Sequence, residues 1–114
     1  MHGGSPYPWD VPAYLPPQWF VVVEALTAKG WHEVQNDIPT VWWSLYQVSF
    51  VRHEQQVVLS LLTEPWSDET RPHAWAIGAS RTIPTDRAAA AVLGSLTLGR
   101  GWQQSVTAFI GLFS

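Results

Sequence analysis

This chain of 114 residues has no cysteine and very little charge. Without cysteine, disulfides and thiolate chemistry are excluded. A chain of this length does not need such a staple. The size scaling gives a folded surface of roughly 6,300 Å² against about 18,600 Å² unfolded, so about two-thirds of the surface is buried and one real core can form. Charged residues make up 13% of the chain, roughly half the usual share of about 25%. Its surface must therefore be built from Ser, Thr, Gln, Pro and exposed aromatics, a composition that resists association poorly. Either a protein partner or a homodimer is expected.

Lysine occurs once, at Lys29, and the net charge is −3. Phosphate recognition needs several cations on one face. The scattered Arg52, Arg71, Arg81 and Arg87 are a thin basis for it, so nucleic acid is a third and weaker reading. No basic amphipathic helix marks a membrane-surface protein, and no apolar run reaches a membrane span. The opening Met-His-Gly-Gly-Ser-Pro lacks the basic and apolar regions of a signal peptide. A cytoplasmic protein with no membrane partner is the expectation.

What the chain does have is tryptophan. Eight are present: Trp9, Trp19, Trp31, Trp42, Trp43, Trp66, Trp75 and Trp102. Each indole needs a large apolar contact area and a partner for its N–H. A small domain either buries them in its core or presents some of them to a partner.

Residues 1–16 form an arm rich in proline and aromatics, and residues 17–114 form one α+β domain. Proline blocks helix and central strand alike, so the arm is extended. Pro16 or Pro17 suits the first turn of a helix in which Trp19, Val22, Val23 and Leu26 recur at helical spacing and which Gly30 ends. Residues 31–39 read as a polar connection. Two strands follow, Thr40 to Arg52 and Gln55 to Thr63, joined at His53-Glu54 as a hairpin. A two-residue turn sets Phe50 opposite Val57, Val48 opposite Leu59 and Tyr46 opposite Leu61, all on one apolar face with Trp42. The other face holds Trp43, Leu45, Gln47, Ser49, Gln56, Val58, Ser60 and Leu62, and becomes more apolar toward Trp43. A loop of odd length would flip one strand.

After a polar loop at 64–72 a third strand runs from His73 to Ile83. It places Trp75 and Ile77 on one side, and Ala74, Ala76 and Gly78 on the other, where their small size allows a helix to pack closely. The next helix is expected from a cap at Thr82 or Thr85, through Ala88 to Ala91, to about Leu98, with Asp86 favouring its start. Trp102, Val106, Phe109, Ile110 and Phe113 make a helical stripe, though 107–110 also suits a strand. The fold class is α+β: an antiparallel sheet of three or more strands with helices on one face, in the order α-β-β-β-α plus a C-terminal helix or strand.

Chemical motifs are absent. His2, His32, His53 and His73 make no metal-binding spacing. Asp37, Glu64, Asp68 and Glu69 lie in loops rather than as a rigid carboxylate pair. No G-x-S-x-G elbow occurs. Neither catalytic residues, nor a metal site, nor a cofactor is predicted. The α-β-β-β-α order resembles the double-stranded RNA-binding domain over residues 17–98. There, Gly78-Ala79-Ser80-Arg81 before Asp86-Arg87-Ala88-Ala89 is distantly similar, but the phosphate-binding lysines are missing. The order also resembles the secretion-chaperone-like adaptor fold, which implies binding of protein segments and dimerisation. Neither likeness rests on a specific motif, and fold analogy alone assigns no function.

The leading expectation is a non-enzymatic binding or adaptor protein that works through an aromatic face, with Trp43, Leu45, Val58 and Leu62 on the open sheet face and Trp66 at its edge. The alternative is a small-molecule or enzymatic pocket lined by Trp and His.

Overall fold

The computed structural model describes residues 15–34, 43–63 and 74–113, apart from the side chains of Leu45 and Ala74. The expected arm at 1–16 therefore lies almost wholly outside the described residues, as do Trp42, Trp66 and His73.

The order is α1 (Pro17–Ala28), β1 (His32–Val34), β2 (Ser44–Arg52), β3 (Gln55–Thr63), β4 (Ala74–Ser80), a 3-10 turn (Ala89–Ala91), β5 (Gly94–Thr97) and α2 (Trp102–Gly111). The five strands form one antiparallel sheet in sequence order. This is the α+β class expected from the sequence.

Helix α1 starts where proline costs least, with Pro17 in the first turn. It ends in a Schellman motif: the Gly30 N–H donates to the Thr27 carbonyl and the Trp31 N–H to the Leu26 carbonyl. Gly30 takes φ 92° there, a conformation that costs a residue with a Cβ. The stripe Trp19, Val22, Val23 and Leu26 is buried, so tertiary packing overrides the strand preference of the valine run.

The hairpin register is the expected one: Phe50 pairs with Val57, Val48 with Leu59 and Tyr46 with Leu61. Phe50, Val48, Val57, Leu59 and Leu61 join Ile77, Ala79 and Leu96 in the core, covered by α1, by Phe109 of α2 and by Phe113 in the turn after it. Both helices thus lie on one sheet face. The Trp31 Nε1–H reaches across the fold to the Phe113 carbonyl at 3.1 Å and ties the end of α2 to the turn after α1.

Four expectations need correction. Residues 32–34 of the presumed connection form edge strand β1, paired with β2 from His32 opposite Val51 to Val34 opposite Ser49. The third strand is shorter than His73–Ile83, ending at Ser80. The expected helix at 85–98 is replaced by the 3-10 turn and β5. Four alanines are too few to sustain a helix, and Leu96, fully buried, gains more as an inward residue of a fifth strand. Asp86, rather than Thr82 or Thr85, caps the turn, its Oδ1 accepting the Ala89 N–H at 2.7 Å. With a 3-10 turn and a further strand, β5, directly after β4 where an α-helix was expected, the chain departs from the RNA-binding-domain plan. The last element is a helix.

The fourth correction concerns Trp75. Leu62 pairs with Ala76, but the next residue, Thr63, pairs with Ala74. Trp75 is therefore the extra residue of a β-bulge, which breaks the alternation of side chains. It packs with Trp43, Leu62, Ala76 and Ala90 on the second sheet face instead of joining Ile77 in the main core.

Candidate functional site

On the second face the chain between β4 and β5 folds back over the sheet. Gly78 makes this possible: a Cβ there would stand 2.5 Å from the Ala90 carbonyl oxygen. The expected close approach over small residues occurs, with a 3-10 turn in place of a helix. Between this turn and the bulge lies an open groove of about 410 Å³, lined by Leu62, Trp75, Arg87, Ala88, Ala91 and Ser95.

Among the described residues its lining is apolar apart from Ser95 and one cation, Arg87. The Arg87 guanidinium lies 4.9 Å from the centre of the Trp75 ring, a cation–π distance. Among the described residues it makes no hydrogen bond or ion pair. The contrast with Arg52 is instructive. Arg52 also lies over an indole, 4.5 Å from the Trp31 ring centre. But that indole is buried, and Arg52 donates to the Lys29 carbonyl and to Gln55 Oε1. Arg52 is structural, whereas the guanidinium donors of Arg87 have no partner among the described residues. The Trp75 Nε1 is buried and has no hydrogen-bond partner among the described residues.

The residues expected to present an open aromatic face are distributed otherwise. Trp43 (4% exposed), Val58 (0%) and Leu62 (1%) are buried. Of these, Trp43 and Leu62 pack beside Trp75, and only Leu62 lines the groove. The side chain of Leu45, and Trp66, lie outside the described residues. Trp75, half-buried, is the groove's indole. Sequence reasoning named Trp75 only as a strand residue and Arg87 only as a scattered cation. The signal was an indole set among Ala74, Ala76 and Gly78, residues too small to fill the space around it.

Among the described residues no group of His, Asp and Glu could hold a metal ion, and no helix is long and apolar enough to cross a membrane. Among the described residues one titratable group is out of its ordinary range. Glu33 pairs with Phe50, whose side chain faces the helix-covered core. Burial raises its carboxyl from 4.5 to about 7, and its Oε1 has no hydrogen-bond partner among the described residues. Below pH 4.5 both folded and unfolded chains hold this proton. As pH rises toward 7 the unfolded chain releases it first, so stability falls, and the loss is complete above the folded value. Because Glu33 is half-exposed, solvent screening reduces the expected loss to about 1–2 kcal/mol. The Glu33→Gln variant should melt above wild type at pH 8 and level with it at pH 4. An equal difference at both pH values would show that Glu33 titrates normally.

Comparison of the chain with protein families, with curated proteins and with solved structures gives no match.

Proposed function

We propose that this protein is a small non-enzymatic binding module of the cytoplasm that holds a segment of a partner protein in the groove at Trp75. One observation carries the reading: a cation with no hydrogen bond or ion pair of its own among the described residues stands over an indole at the edge of an apolar groove. Tryptophan and arginine are the side chains most enriched where binding energy concentrates. The apolar surface also continues out of the groove, since Val92, next to Ala91 of the lining, is 71% exposed. A protein segment covers such a surface better than a small molecule does. The lack of cysteine supports the location.

The test is selection of peptides from a displayed random library against the wild-type protein, with Trp75→Ala as counter-target. Selected peptides should lose at least about tenfold in affinity on Trp75→Ala. Light scattering should give the same mass for both proteins. Peptides that bind both proteins equally, or a Trp75→Ala variant that differs only in oligomeric state, would rule the groove out as the partner surface. The second outcome would point to self-association instead.

A further inference from the structure

Resting on that reading, we infer that the groove is held by the chain's own N-terminal arm until a partner displaces it. Residues 6–12 of the arm lie on Trp75, with the Asp10 carboxylate against Arg87.

The described chain begins close to the groove. Leu15 is buried in the core just ahead of α1. In the first turn of α1, Gln18 Nε2 donates to the Leu98 carbonyl at 3.2 Å. The Leu98 N–H in turn donates to the Trp75 carbonyl at 2.9 Å. The Arg87 guanidinium stands 4.9 Å from the Trp75 ring centre. Three short contacts thus lead from the root of the arm to the cation. Asp10 precedes Leu15 by five residues, roughly 15 Å of polyproline-II chain. Packed layers lie about 10 Å apart, so the arm is long enough to pass Leu98 from the helix side of the sheet to the groove side.

The chemistry of the two surfaces matches. Residues 1–14 hold one acid, Asp10, and no lysine or arginine. The described lining of the groove holds one charge, Arg87, whose guanidinium donors have no partner among the described residues. A guanidinium binds a carboxylate in fork geometry. Around Asp10, Pro6, Pro8 and Pro12 are interleaved with Tyr7 and Trp9. Proline-rich segments dock on aromatic-lined grooves because their extended form loses little entropy on binding. Half-buried Trp75 beside Leu62, Ala88 and Ala91 offers such a surface. A short tether presents its segment at an effective concentration in the millimolar range, above that of a second copy in dilute solution. The arm therefore also defines the partner that succeeds against it: a proline-rich segment with a carboxylate.

The chain has no cysteine, so Ser5→Cys gives a single attachment point for a nitroxide spin label outside residues 6–12. Amide resonances of the whole isotope-labelled chain are then recorded. The label should broaden Ala88, Ala91 and Ser95 on the groove and spare Thr27 near the far end of α1. Asp10→Asn and Arg87→Gln should each remove most of that broadening. Asp10→Asn should also bind the peptides selected for dependence on Trp75 at least about threefold more tightly than wild type, because the arm no longer competes. Absence of broadening on the groove, equal broadening of Thr27, or broadening that survives both substitutions would overturn the inference. So would an unchanged peptide affinity in Asp10→Asn. Spin-labelled chains that broaden the groove of unlabelled neighbours in a mixture would also overturn it, by assigning the groove to the arm of a second copy. The groove reading falls separately, if no selected peptide depends on Trp75 while the arm still broadens the groove.

Discussion

Gly78→Ala should cost about 2–3 kcal/mol of stability although it adds a single methyl group. The magnitude comes from weighing two opposed effects. Replacing glycine shrinks the unfolded ensemble and by itself stabilises by about 0.4–1 kcal/mol. Against this, the new Cβ would stand 2.5 Å from the Ala90 carbonyl oxygen, 3.1 Å from its carbon and 3.2 Å from Leu62 Cδ1. The first two are backbone atoms in a turn that Asp86 caps, so they cannot swing aside as a side-chain tip can. Overpacking of this kind typically costs about 1–3 kcal/mol, and here the strand and the turn must separate. Gly99→Ala is the matched control. Nothing lies within 4 Å of a Cβ there, so it should be neutral or slightly stabilising. Urea unfolding of the three proteins decides the matter. Equal midpoints for Gly78→Ala and Gly99→Ala would mean that the turn does not rest on β4 as described. The same substitution should also deform the groove, because Ala88 and Ala91 of its lining flank Ala90.

Trp31→Phe should be nearly as damaging, by a different route. It keeps an aromatic ring in the core but deletes the Nε1–H donor to the Phe113 carbonyl. A buried acceptor left without its partner costs about 1–3 kcal/mol. Trp31→Ala adds a cavity and should cost about 3–5 kcal/mol. The bond joins residues 82 apart in sequence, so its loss should be felt at one place. Phe113, in the turn that follows α2, stands edge-on to Phe109 with ring centres 5.4 Å apart, and these two rings are what the C-terminal segment buries most fully in the core, with Val106 packed beside them. Hydrogen exchange of Trp31→Phe should therefore show α2 opening more readily while the β2–β3 hairpin keeps its protection. A uniform loss across hairpin and helix would show that Trp31 supports the whole core rather than clamping the terminal helix.

The parts of the fold legible in the sequence are those where local pattern and tertiary packing agree. Proline before and glycine after a four-residue apolar stripe defined α1. A two-residue break between alternating segments set the hairpin register, and with it which residues face the helices. The parts that escaped depend on contacts distant in sequence. β1 is three residues long and exists because β2 offers it an edge. The alanine run looks helical, yet burial of Leu96 and the space above Gly78 turn it into a tight turn followed by a strand. The bulge at Trp75 is a mismatch of one residue between two strands, which neither strand's own sequence records. The candidate site rests on that bulge. This is why Trp43, Val58 and Leu62 looked open when alternation was read from the hairpin alone, and why the groove's indole proved to be Trp75.

The central claim, that the Trp75 groove is where a partner binds, is tested most directly by cross-linking in the cell. A photo-reactive phenylalanine is placed at exposed Ser95 on the groove, or at exposed Val21 on α1 as a control. Each is examined with Trp75 intact and as Trp75→Ala. The account predicts a discrete cross-linked partner from position 95 that disappears with Trp75→Ala, and none of that mass from position 21. Cross-links from position 95 that persist without the indole, or a partner caught only from position 21, would contradict it.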